Sequence, residues 1–146
     1  MRADDIMTRT PVTVFPSDPV SRVAEFMRDL RIGCIPVVKE GGVPWLVGLI
    51  TDRDIVTRCV ASGHGADELV GGYMSWRTLH TVTPDTDVHR IAELMERHQV
   101  RRIPVVDAEG VLLGIVSQGD LAVKVGPVEP LLVEEVVERV SSQRRA

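Results

Sequence analysis

The chain is written twice. Thr13-Val14-Phe15-Pro16 returns as Thr81-Val82-Thr83-Pro84, and Val23-Ala24-Glu25-Phe26-Met27 returns as Ile91-Ala92-Glu93-Leu94-Met95. Ile35-Pro36-Val37-Val38 likewise returns as Ile103-Pro104-Val105-Val106. Thr81, Met95 and Ile103 each stand 68 positions after Thr13, Met27 and Ile35, whereas Gly48 and Gly114 are 66 apart, so the second copy has lost two loop residues. A period of this length within 146 residues means two copies of one supersecondary plan. A half of about 65–70 residues buries only ~60% of the surface its unfolded chain exposes. The two are therefore expected to pack sheet to sheet, with a cleft at their seam.

Each half reads in the same order. A lead-in, Ile6-Met7-Thr8 or Tyr73-Met74-Ser75, precedes an extended piece at Thr13-Val14 or Thr81-Val82 that ends at a proline, which cannot continue a ladder. Asp18 followed by Pro19 reads as a helix start. Val20, Val23, Ala24, Met27 and Leu30 then fall on one helical face, matched by Val88, Ile91, Ala92 and Met95. A hairpin follows, Ile35 to Val38 with Leu46 to Ile50, copied as Ile103 to Val106 with Val111 to Val116. A second helix is expected from Thr51 towards Ala61, and from Ser117 towards Gly126-Pro127. The pattern is α+β with β-α-β-β-α halves at 1–65 and 66–127. The tail at 128–146 forms an amphipathic helix on Leu132, Val133, Val136, Val137 and Val140, expected to cover the pair or another copy, with Ser141 to Ala146 frayed.

The chemistry sits where the hairpin runs into the second helix. Gly48-Leu49-Ile50-Thr51-Asp52-Arg53-Asp54 and Gly114-Ile115-Val116-Ser117-Gln118-Gly119-Asp120 each place a hydroxyl at the helix N-cap and an aspartate at the third helical position. A helix start carries unsatisfied N–H groups and partial positive charge, which suit a phosphate, while an aspartate accepts hydrogen bonds from a vicinal diol. The same residues also satisfy a capping box, which only closes a helix end. Two copies in equivalent places favour a ligand over a cap alone.

Composition narrows the alternatives. A net charge of −4, without a basic block carrying interleaved aromatics, argues against a nucleic-acid surface. No apolar run approaches the ~18–20 residues of a membrane span, and Met1-Arg2-Ala3-Asp4-Asp5 leads into no signal-peptide core, so a cytoplasmic location is expected. Cys34 and Cys59 lack metal or CxxC spacing and read as small core residues, and the four histidines are scattered. No Ser-His-Asp order, metal-ligand spacing or Walker-type loop appears, so no enzymatic activity and no required cofactor are expected.

The doubled Ile-Pro-Val-Val strand, the doubled Gly-x-x-(Thr/Ser)-x-x-Asp turn and the doubled Met-(Thr/Ser) lead-in together resemble a tandem pair of CBS domains, the Bateman module. The resemblance spans about Asp4 to Val125 and implies two repeats related by pseudo-twofold symmetry, often paired into a homodimer. It implies a regulatory module for adenosine-containing ligands: AMP, ADP or ATP, with NAD or S-adenosylmethionine as further members. The regulated protein is not encoded in these residues. By the family pattern Asp54 and Asp120 meet ribose hydroxyls, with Thr51 and Ser117 beside the ribose or phosphate. The base lies along Gly33-Cys34-Ile35-Pro36 or Arg101-Arg102-Ile103-Pro104, with Ile35, Ile103, Val14 and Val82 as apolar faces and Thr13 and Thr81 opening the lining strands. Arg53, Arg101 and Arg102 are candidate phosphate partners. The halves differ, Arg53 flanking one aspartate and Gln118-Gly119 the other, so two unequal sites are expected. The alternative is a ligand-independent dimerisation or interaction module whose turns are caps only.

Overall fold

The computed structural model describes residues 1–142. In chain order its elements are α1 (Ala3–Ile6), β1 (Thr8–Arg9), α2 (Val20–Leu30), β2 (Cys34–Val38), β3 (Leu46–Thr51) and α3 (Asp52–Asp54), then α4 (Val88–His98), β4 (Arg102–Val106), β5 (Leu112–Ser117), α5 (Gln118–Asp120) and α6 (Pro130–Ser142). Helices α3 and α5 run straight on as π-helical turns over Ile55–Val60 and Leu121–Val125.

Two compact units share these elements. One joins Met1–Thr10 to the chain from His80 onward; the other is Pro11–Leu79. The repeats expected at 1–65 and 66–127 divide the sequence, but the units in space are cut differently, because each lead-in docks on the other repeat. In the first unit β1 adds to β5 with Thr8 opposite Ile115, giving the order β1-β5-β4. In the second, Ser75 bridges Leu49 of β3, beside the β2-β3 hairpin. Glycine permits this close approach. A Cβ on Gly114 would stand 2.6 Å from Met7 Sδ and 2.8 Å from the Thr8 carbonyl oxygen, and one on Gly48 would stand 2.8 Å from Met74 Sδ.

The hairpins repeat residue for residue. Cys34 pairs with Thr51 and Arg102 with Ser117, and both ladders shift register one residue before the end of the first strand, at Val37/Val38 and Val105/Val106. The extended pieces at Thr13-Val14 and Thr81-Val82 are single parallel bridges, Val14 to Val37 and Val82 to Val105, rather than strands. Pro16 and Pro84 follow two residues later and stop the ladder, as their missing N–H groups require.

The helical stripes part company. Val88, Ile91, Ala92 and Met95 of α4 are all buried, as the spacing predicts. On α2, Val20 and Val23 are buried and Phe26 and Met27 partly so, but Ala24 is exposed and Leu30 is 48% exposed. The difference lies with α6, which packs on α4 and on the Leu121–Val125 turn through Val136 and Val140, whereas among the described residues no helix packs on α2 in that way. Ser141 and Ser142 complete α6, so the expected frayed end is helical that far; residues 143–146 lie outside the described residues. Helix α2 is capped by Pro19, not Asp18, whose carboxylate instead accepts from the Phe15 N–H at 2.7 Å. Cys34 and Cys59 are buried thiols.

Candidate functional site

Each unit carries one copy of the strand-to-helix turn, complete within itself. In Pro11–Leu79, β3 ends at Thr51, whose extended backbone (φ −115°, ψ 160°) turns the chain into α3. Thr51 Oγ1 accepts from the Asp54 N–H at 3.1 Å, and the Thr51 N–H donates to Asp54 Oδ2 at 2.9 Å. In the other unit Ser117 Oγ accepts from the Asp120 N–H at 3.1 Å, and both the Ser117 N–H and its hydroxyl donate to Asp120 Oδ2 at 2.7 Å. Both turns are therefore complete capping boxes, and the plain structural role suggested by the sequence is real.

The box engages only one carboxylate oxygen. Oδ1 of Asp54 faces Arg58 Nη1 at 3.9 Å, and Oδ1 of Asp120 faces Lys124 Nζ at 3.6 Å. Both carboxylate side chains are 17% exposed, so they are reachable from solvent yet held. The remaining oxygen has lone pairs for hydroxyl donors.

The segment expected to meet a base lies against each turn. The Asp52 N–H donates to the Gly33 carbonyl at 3.1 Å, and the Gln118 N–H to the Arg101 carbonyl at 2.8 Å. These bonds fix Gly33-Cys34 and Arg101-Arg102 beside the helix starts. A Cβ on Gly33 would stand 3.2 Å from Asp52 Oδ2, and the equivalent position in the other half carries Arg101. Ile35 and Ile103 are fully buried core residues, and Val14 is 1% and Val82 6% exposed. Their side chains are committed to the two hydrophobic cores, so what these positions present outward is main chain. Pro36 and Pro104 are buried, and their carbonyls accept from the Val14 and Val82 N–H groups.

Thr13 is half-buried and Thr81 exposed, another inequality between the halves. Arg53 is exposed, while Arg101 and Arg102 are half-buried. Arg101 Nε is a buried donor with no hydrogen-bond partner among the described residues. Sequence reasoning missed Arg58 and Lys124. Both stand four residues after the aspartate, on the face it occupies, and that doubled basic residue was the available signal.

The CBS domain family profile matches residues 3–61 and 70–126, which covers both turns and both hairpins. This chain belongs to the CBS domain family. The CBS domain-containing protein YhcV of Bacillus subtilis is 40% identical over 119 residues, 82% of this chain and 81% of that protein. Among solved structures, a CBS domain protein from Pyrobaculum aerophilum complexed with AMP is similar at TM-score 0.77 and 27% identity, covering 94% of this chain and 98% of that one. The CBS domain pair of protein MJ0100, in complex with 5′-methylthioadenosine and S-adenosyl-L-methionine, reaches TM-score 0.76 at 26% identity, covering 87% and 97%. CBS pairs similar to this chain thus carry adenosine-containing ligands. No helix among the described residues is long and apolar enough to cross a membrane.

Proposed function

We propose that this CBS pair is a regulatory, non-catalytic module that binds an adenosine nucleotide and reports its level to another protein. The observation that carries the reading is the pair of turns in which each capping box takes Oδ2 and leaves Oδ1 for a ligand. In the proposed complex, Oδ1 of Asp54 or Asp120 accepts from a ribose hydroxyl and the main chain of Gly33-Cys34 or Arg101-Arg102 reads the base edge. Arg53, Arg101 and Arg102 meet phosphate. Charge-assisted hydrogen bonds of this kind contribute roughly 1.5–3 kcal/mol each. The halves offer different cations and different exposure, so their affinities differ. The module acts in the cytoplasm as a homodimer, in keeping with the family pattern.

Titration calorimetry and melting scans with AMP, ADP, ATP, NAD and S-adenosylmethionine test it. A ligand at ~100 times its dissociation constant stabilises the fold by about 2.7 kcal/mol. Absence of heat and of any melting shift with all five contradicts the reading. The completed caps favour one competitor, an interaction module without ligand. It requires that an Asp54→Ala/Asp120→Ala protein lose about 1 kcal/mol per cap and show no change in response to nucleotide.

A further inference from the structure

The two cations that face the candidate carboxylates each hold a second partner, and it is the equivalent backbone carbonyl in both units. Arg58 Nη1 donates to the Tyr73 carbonyl at 2.9 Å, and Lys124 Nζ donates to the Ile6 carbonyl at 2.5 Å. Tyr73 and Ile6 occupy equivalent places, each directly before the Met-(Ser/Thr) pair that lies over a strand glycine, Met74-Ser75 on Gly48 and Met7-Thr8 on Gly114. Arginine and lysine differ in length, shape and donor geometry. Their arrival at the same pair of acceptors, in separate units, points to the connection itself rather than to the residue type.

We infer that Arg58 and Lys124 are positioning residues that couple ligand occupancy at Asp54 and Asp120 to the docking of the two lead-in segments. The coupling rests on the nucleotide reading above. One nitrogen of each cation, Arg58 Nη1 or Lys124 Nζ, faces Oδ1, the oxygen the capping box does not use, at 3.9 or 3.6 Å. The same nitrogen donates to the backbone carbonyl at which the lead-in meets its host strand. A ligand that binds best when Oδ1 is steadied also favours the fastened lead-in, because coupling between two sites is reciprocal. The ion pairs alone are weak, since Arg58 is 47% and Lys124 41% exposed. The shared donor, not the ion pair, makes the link. The signal thereby reaches β1 and the Met74-Ser75 segment, which join each repeat to the strand of the other.

Hydrogen exchange read by mass spectrometry tests this, with AMP and with S-adenosylmethionine as probes, on peptides covering 6–10 and 73–76. In the unaltered protein a bound probe slows exchange in both peptides about fivefold, the lower end of ordinary coupling. In Arg58→Met the slowing at 73–76 disappears while that at 6–10 stays, and in Lys124→Met the reverse holds. Arg58→Lys and Lys124→Arg keep both responses, because each half already accepts one of the two cations; a merely structural role predicts that the probe slows both peptides alike in every variant. Slowing that persists in the methionine variants, or a bound probe that slows neither peptide in the unaltered protein, overturns the coupling and leaves the nucleotide reading standing. If calorimetry shows that neither probe binds the unaltered protein, both fall together. The measurement on the unaltered protein needs no variant to fold.

Discussion

At the scale of single residues, Asp54 and Asp120 do two jobs with two oxygens. One closes a helix end, and the other faces a cation with lone pairs to spare. Replacement by asparagine separates the jobs. The amide oxygen still accepts from the Thr51 or Ser117 N–H, while the other position becomes a donor that no hydroxyl can donate to. Alanine removes both functions and costs about 1 kcal/mol per helix. The glycines under the lead-ins make a second prediction. Gly114→Ala pushes a Cβ to 2.8 Å from the Thr8 carbonyl, and a backbone atom cannot move aside as a methionine tip can. A loss of about 1–3 kcal/mol in urea unfolding is expected. Gly48→Ala, whose nearest backbone atom is the Ser75 carbonyl oxygen at 3.0 Å, costs less.

At the scale of elements, the equivalent helices α2 and α4 share a pattern but not an environment. Helix α6 buries Val136 and Val140 against α4, worth up to about 1.5–3 kcal/mol each. Deleting the chain after Glu129 therefore lowers stability and leaves Ala92 as exposed as Ala24 is now. His89 adds a pH-dependent tie. Its ring lies 2.7 Å from both Asp87 Oδ1 and Glu129 Oε2, and those carboxylates raise its pKa, the Asp87 hydrogen bond most. A raised histidine pKa stabilises the fold fully below the ordinary value and loses that contribution as pH rises through the folded one. The site is 59% exposed, so the effect is only roughly 0.2–1 kcal/mol. Exchange in peptides of α6 should quicken from pH 6 to pH 8 relative to its intrinsic rate, and His89→Gln should flatten the change. What was legible in the sequence at this scale was local. Cap, turn and alternation put the hairpins and the Thr51 and Ser117 helix starts within a residue or two of where they lie. The exposure of Ala24 and Leu30 depends on a distant helix that covers only one copy. The docking of Met7 on Gly114 and Met74 on Gly48 crosses from one repeat to the other, which no local pattern encodes. Arg58 and Lys124 acquire meaning only through those crossings.

At the scale of the whole molecule, the sequence repeat and the compact unit are different things. Met1–Thr10 belongs with the second repeat: α1 contributes Ala3 and Ile6 to that core, and β1 completes its sheet. Removing residues 1–10 should speed exchange throughout β5 and β4 while leaving β2 and β3 near their original rates. Equal loss in both hairpins would contradict this division. Such interleaving lets a CBS pair fold from halves too small to build separate large cores, and it links each carboxylate's cation to the opposite repeat. The central claim remains that the oxygens spared by the two capping boxes receive a ribose. Calorimetric titration of AMP into the unaltered protein and into Asp54→Asn/Asp120→Asn, with the melting temperature of each recorded without ligand, tests it most directly. The account predicts nearly equal melting temperatures and heat of binding in the unaltered protein alone; equal AMP affinity in the two proteins would contradict it.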